Sequence, residues 1–304
     1  MAKRLDCLGL GIAPVDILYQ VERFPKPGSK IDALNMTIQG GGPIPTAMAT
    51  LGRLGMKPGL VAAVGNDIFG DYAINELNKF GVDTSNMIRK PRSTAIAAGW
   101  YEKGSGRRTI ILDLKTRISP GDIRLDRLPD CRAVHLDGRD LAVCLKLARW
   151  AKEKAIPVVF DVGSLRNDVS PIFPLVDHLV CAADFAMPFT GTINLRKAVE
   201  RLASLCPGTI VITSGIKGAL GYSRTEGWFR QKAFRVRTVD TTGAGDVYHG
   251  AYIYGLLSGG DLACRMELAS AAAALKCTKP GGRSGIPTKI ELKRFLSRKR
   301  PTYE

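Results

Sequence analysis

Short apolar segments of strand length alternate along most of this chain with longer segments of helical period, and that rhythm restricts the fold more than any other feature. Leu5 to Ile12 reads as a strand, Pro45 to Leu54 as a helix, Lys57 to Val64 as a strand and Asp71 to Phe80 as a helix. The pattern resumes with strands at Ala133 to Leu136, Pro157 to Phe160, His178 to Cys181 and Thr209 to Thr213, separated by helices at Leu141 to Lys154 and Leu195 to Leu205. Such alternation predicts a parallel sheet with helices on both faces, buried on both sides. Two stretches break the rhythm: Ile17 to Ile38 and Ala95 to Leu114 read as extended segments around turns, the second with Lys103-Gly104-Ser105-Gly106 as a hairpin tip. They predict a small separate β layer. With no internal repeat and no low-complexity linker, residues 1–304 read as one α/β domain with an appended lid made of segments 17–38 and 95–114.

Charge narrows the partners. Forty-four Lys and Arg against 28 Asp and Glu give +16, a surplus that favours anionic ligands. The densest basic run, Lys293 to Arg300, adjoins the helix-like Ile290 to Leu296 and reads as a solvated helix end. No aromatic-interleaved basic motif supports nucleic-acid binding. Seven cysteines, without a C-x-x-C pair and with only three histidines, read as reduced thiols with no metal site. The start, Met1-Ala-Lys-Arg followed by Cys7 to Ile17, imitates a secretion signal, but Pro14 and Asp16 interrupt it, so it reads as a first strand. No run approaches the roughly 18 apolar residues of a membrane span. The expected location is the cytoplasm, with no membrane partner.

The chemistry concentrates in Asp240-Thr241-Thr242-Gly243-Ala244-Gly245-Asp246, which leads into the apolar helix-like Val247 to Leu257. A turn of small residues before a helix exposes backbone N–H groups at the positive end of the helix dipole and so forms an anion hole. An acid in the first helical turn can take the proton of a hydroxyl that attacks the bound phosphate. A glycine pair with a capping acid would also suit any strand-to-helix junction.

The full heptapeptide, with Gly250 and Ala251 beyond it, resembles the second signature of the ribokinase (PfkB) family of carbohydrate kinases. Gly40-Gly41-Gly42-Pro43 and the helix through Gly55 resemble the first signature. The resemblance implies a three-layer sandwich with a mainly parallel central sheet and a small antiparallel β lid. It implies phosphoryl transfer from ATP with Mg2+ to a sugar hydroxyl, with Asp246 as base and Gly243, Ala244 and Gly245 forming the anion hole. Acceptor contacts would come from Asp16, Gly41, Gly42 and Thr46. Gly65-Asn66-Asp67-Ile68-Phe69-Gly70 resembles a further family element, in which the acid is read as a helix N-cap.

Thr213-Ser214-Gly215-Ile216-Lys217-Gly218 resembles the nucleotide turn, and the segment through Cys277 and Gly281 to Pro287 the adenine-side helix and loop. Thr213, Gly215, Gly218, Cys277 and Gly281 are thereby expected at the nucleotide. In relatives that loop encloses a monovalent cation such as K+, with carbonyls equivalent to those of Asp240 and Thr242; carbonyl oxygens suit such a hard ion. Family members also pair as homodimers through the lid.

Departures are equally informative. Thr46 stands where the family carries Asn. The family's Asn-x-x-Glu near the metal has no match in Cys181-Ala182-Ala183-Asp184-Phe185, which leaves Asp184 as the nearby carboxylate and ATP phosphates with water as the main magnesium ligands. Several segments look most like the sulfofructose kinase branch, where a lysine before the triple glycine and an arginine after a core strand hold a sulfonate; Lys30 and Arg139 match them, while Leu112 replaces that branch's asparagine. The expected acceptor is a ketose or related sugar, with or without an anionic group. A nucleoside acceptor and a catalytically weak nucleotide-binding scaffold remain as alternatives.

Overall fold

The computed structural model describes residues 4–104, 107–165 and 167–299. Its centre is an eight-stranded sheet. Chain order gives β1 (Cys7–Leu10), β4 (Pro58–Val61), β9 (Val134–Leu136), β10 (Val158–Val162), β11 (His178–Ala182), β12 (Thr209–Thr213), β13 (Ala219–Ser223) and β14 (Gly227–Gln231), arranged β14-β13-β12-β11-β10-β9-β1-β4. The six strands from β12 to β4 run parallel, and β13 and β14 add an antiparallel edge. Side chains alternate between two apolar layers: Val158 and Phe160 enter one core, Val159 the other.

The first core is closed by α3 (Leu141–Glu153), α4 (Ala183–Thr190) and α5 (Leu195–Leu205), through Leu147, Phe185 and Leu202. The second is closed by α1 (Pro43–Arg53), α2 (Ile68–Lys79), α6 (Ala244–Leu257), α7 (Leu262–Lys276) and α8 (Lys289–Lys299), through Met48, Leu77, Tyr252, Met266 and Leu292. The expected sandwich is therefore present. Helices α1 and α6 cross at Gly250, where a Cβ would come within 2.5 Å of the Ala47 carbonyl. That close packing brings the starts of both helices to one end of the sheet.

The lid is a four-stranded sheet ordered β3-β2-β7-β8, from β2 (Val15–Val21), β3 (Asn35–Gly40), β7 (Ile96–Glu102) and β8 (Arg108–Asp113). Its outer pairs are antiparallel and its middle pair, β2 with β7, is parallel. The two stretches that broke the rhythm thus share one sheet. Of the hairpin tip between β7 and β8, Ser105 and Gly106 lie outside the described residues, as do Met1 to Lys3 at the start and Arg300 of the basic run.

One strand differs from expectation. The run 57–64 breaks at Ala62: β4 stays in the central sheet, while β5 (Ala63–Gly65) peels away to pair with β6 (Ile88–Lys90). Asp67 follows as the N-cap of α2, its Oδ1 accepting from the Gly70 amide at 2.8 Å, as the capping reading required. All seven cysteines are free thiols. No helix among the described residues is long and apolar enough to cross a membrane.

Candidate active site

Parallel strands deliver their following loops to one edge, and here those loops carry the polar residues. β9 leads to Asp137 and Arg139, β10 ends in Asp161 and Val162, and β11 and β12 end at Ala182 and Thr213. With Pro43 at the start of α1 and Gly245 and Asp246 at the start of α6, they line a cavity of about 200 Å³. Arg117, from the segment after the lid, and His249 complete its polar wall. A wider cleft of about 670 Å³ shares Ala182 and Thr213 with it and runs along Asp184, Gly215 and Gly218.

The heptapeptide turn begins where β-like chain is clamped against the end of α7: the Val239 and Asp240 amides both donate to the Cys277 carbonyl, at 2.8 and 3.2 Å. Asp240 then folds the turn over itself, Oδ1 accepting from the Thr242 amide and Oδ2 from the Gly281 amide, each at 2.8 Å. Gly243 adopts φ +73°, a left-handed conformation that favours glycine, and serves as N-cap of α6. The Ala244 amide donates back to the Thr241 carbonyl at 3.1 Å, so it is turned inward. The amides of Gly245 and Asp246 are among the first-turn donors that a helix cannot satisfy internally, and with Gly243 and Ala244 they make up the start of α6, where the anion hole was expected. A Cβ at Gly245 would meet no atom within 4 Å.

Asp246 lies in the first turn of α6, facing the cavity. Burial, and then the neighbouring Asp161 carboxylate, push it up to about 6, against the opposing pull of His249. Asp161 belongs to a buried group that the sequence reading missed. Its Oδ1 lies 3.1 Å from His249 Nε2, and the His249 ring stacks on His135 with centroids 5.4 Å apart. His135 Nδ1 sits 3.1 Å from the Val159 carbonyl, and burial lowers this imidazole to about 4, so it is neutral near pH 7. Burial works upward on Asp161, but His249 outweighs it and holds the carboxylate below its ordinary range. The candidate ligand atoms of these three residues lie within 4.8 Å of one another. Asp161 and His249 form a buried pair beside Asp246 with His135 stacked on it, and among the described residues His135 Nε2 and His249 Nδ1 have no hydrogen-bond partner. Two signals were present in sequence: His249 follows Asp246 by one helical turn, and Asp161 directly follows the apolar run Pro157 to Phe160.

On the acceptor side, Asp16 in β2 packs against the Gly41 backbone so closely that a Cβ there would fall inside the carboxylate. Burial raises Asp16 to about 6, against the pull of Arg283 and a hydrogen bond with Gln39. Asp137 is pushed to about 7, by burial chiefly and by Asp161 in addition. Gly42, at φ +90°, caps α1 without a side chain. Thr46, expected at the acceptor, is buried, and its Oγ1 accepts from Arg283 Nε at 3.2 Å. Arg283 also donates to the Gly41 carbonyl and pairs with Glu76, both at 2.7 Å.

Of the two expected cations, Arg139 lines the cavity and Lys30 does not: Lys30 is exposed in the loop between β2 and β3. Arg117 is the second cation at the cavity. The nucleotide residues divide similarly. Thr213, Gly215 and Gly218 line one cleft, whereas Cys277 serves the Asp240 clamp and Gly281 meets Asp240 and Thr242 beneath the lid. The lid touches this machinery directly, Arg108 of β8 donating to Thr242 Oγ1 at 3.2 Å and the Gly282 amide to Gln39 Oε1 at 2.8 Å.

Comparison with known proteins matches the fold. The family described as pfkB family carbohydrate kinase matches residues 4–289. The 5-dehydro-2-deoxygluconokinase of Clostridium perfringens is 26% identical over 326 residues, covering 99% of this chain and 95% of its own. The crystal structure of ribokinase from Thermotoga maritima superposes with a TM-score of 0.84 at 26% identity, covering 96% and 99% of the two chains. An E. coli structure assigned as ribokinase II, in complex with ATP and Mg2+, superposes with a TM-score of 0.85 at 23% identity, covering 97% and 99%.

Proposed function

The chain belongs to the pfkB family of carbohydrate kinases, and from that premise we propose that it transfers the γ-phosphoryl group of ATP to a hydroxyl of a sugar or sugar acid bearing an anionic group. One observation carries the choice of acceptor: Arg117 and Arg139 line the same cavity as Asp246. Two guanidinium groups suit a carboxylate, sulfonate or phosphate, because hydrogen bonds assisted by charge are stronger than neutral ones. The relative named for a deoxygluconate, a sugar acid, fits that chemistry.

In this reading the nucleotide lies along the 213–218 turn with its γ-phosphate at the Gly245 and Asp246 amides. The acceptor oxygen attacks phosphorus, the bond to the β-phosphate oxygen breaks, ADP leaves, and the acceptor proton passes to Asp246. Phosphoryl transfer through a loose transition state asks the protein mainly for alignment and charge stabilisation. At about 6, Asp246 is largely ionised at neutral pH and needs no further activation. Asp16, beside Gly41, orients the acceptor. Mg2+, when bound, neutralises phosphate charge; Asp184, exposed in the nucleotide cleft, is a carboxylate oxygen donor suited to it alongside phosphate and water.

The acceptor is tested by following ADP release with fructose, ribose, fructose phosphates, sulfofructose, sugar acids and nucleosides. Anionic sugars should be preferred, and Arg139→Ala or Arg117→Ala should raise KM for them by about 10- to 100-fold, the worth of a charged hydrogen bond. Preference for a neutral sugar or nucleoside, with both variants indistinguishable from wild type, would refute the anionic acceptor.

The lid supports a homodimer. By register, Tyr19, Met36, Ile38 and Ile111 share the face opposite Asp16 and Gln39, and all are exposed, Ile111 by 66%. Light scattering after chromatography should give twice the chain mass, reduced to one by Ile111→Asp; a wild-type monomer at tens of micromolar would contradict it.

A further inference from the structure

Lys276 ends α7 with no exposed surface at all, an unusual place for a lysine. Its ammonium donates to the Asp240 carbonyl at 2.9 Å. That carbonyl is one of those expected to line a monovalent-cation cage, so the residues present do not fit such an ion: a unit positive charge already occupies its donor set. A second cation a few ångströms from a buried ammonium would meet repulsion little screened by water.

We infer that Lys276 supplies internally the positive charge beneath the catalytic turn, so that this protein works without a bound monovalent cation. The surroundings agree. The backbone of the same helix end holds Val239 and Asp240 through the Cys277 carbonyl, and a Cβ at Gly285 would collide with the Lys276 backbone, so the lysine is fixed from both sides. Asp240 and Asp246 carry the negative charges that face it. Burial holds the Lys276 pKa below its ordinary value, with Arg108 adding to that effect and Asp240, Cys277 and Asp246 opposing it. The turn Lys276 supports presents the Gly245 and Asp246 amides, so the ammonium is a positioning group whose field also favours charge on the transferred phosphoryl group.

This inference rests on the kinase reading for its kinetic arm only; melting temperature tests it separately. Wild-type protein is compared in KCl, NaCl and tetramethylammonium chloride at equal ionic strength, with and without Mg·ATP. Turnover should agree within about twofold and melting temperature within about 1 °C across the salts. Lys276→Met, which keeps the volume without the charge, should lose about tenfold or more in turnover and gain nothing from KCl. Lys276→Ala, which opens a space, should melt lower and recover part of both melting temperature and turnover in KCl. Activation of the wild type by KCl of about fivefold or more, with a matching rise in melting temperature, would overturn the inference. So would Lys276→Met with wild-type turnover and melting temperature. If no acceptor is phosphorylated under any condition, the kinase reading fails and the melting comparison still decides this one.

Discussion

Two glycine-rich turns start the two helices that meet at this site, and they are built for opposite purposes. Before α1, a Cβ at Gly41 would strike the Asp16 carboxylate and one at Gly42 the Ile12 carbonyl. Those glycines are spent on close packing, and the turn is closed. Before α6, Gly243 is pressed on the 282 backbone, but Gly245 faces open space and an acid follows it. That turn keeps its amides and its carboxylate for a ligand. The same local motif therefore packs as a wall in one place and stays open beside an acid in the other, and what decides between them is the neighbours.

The comparison can be broken first at Asp246. Asp246→Asn should cut turnover by roughly a hundredfold or more while Mg·ATP still binds, because the amide keeps the shape and loses the proton affinity. It should also melt higher. An acid whose pKa is raised on folding costs stability when ionised; the cost is full above about 6 and disappears below its unfolded value near 3.8, so the gain should be seen at neutral pH and vanish in acid. Wild-type turnover in this variant would sink the base assignment.

A finer contrast comes from placing one methyl group in each turn. Gly41→Ala should lower the melting temperature by several degrees and the acceptor kcat/KM by about tenfold or more, since the Asp16 carboxylate must move. Gly245→Ala should leave the melting temperature unchanged or slightly raised, alanine being the better helix former by about 1 kcal/mol. Its effect should fall on the KM for ATP, raised severalfold as the methyl enters the space left for phosphate. Equal loss of stability in both variants would erase the distinction between the turns.

What could be read from sequence was what the backbone decides locally. The heptapeptide, the triple glycine and the alternation of strand and helix depend on neighbours within a few residues, and helices such as α5 began and ended where their period did. The residues that escaped depend on distant partners. Thr46, expected at the acceptor, has a partner that no local pattern announces: Arg283, 237 residues away, donates to its hydroxyl oxygen. Nothing beside Lys276 in the chain marks it as buried, and only the fold shows that it is. Asp161 required knowing that β10 runs two residues past the run 157–160 and that His249 of α6 packs on the face of the sheet to which Asp161 points. Lys30 matches by spacing, and it lies in an exposed loop that does not line the cavity.

The central claim is that Asp246 takes the acceptor's proton at the open turn, and the acidic limb of kcat/KM against pH at saturating Mg·ATP tests it most directly. Asp16 and Asp137 are also raised, to about 6 and about 7, so wild type alone is not decisive. The account predicts a fall in wild-type kcat/KM as pH drops through about 6, and a residual activity in Asp246→Asn that no longer follows that limb. An Asp246→Asn profile that keeps the same limb, at whatever rate, would assign the titration to another carboxylate and contradict the role given to Asp246.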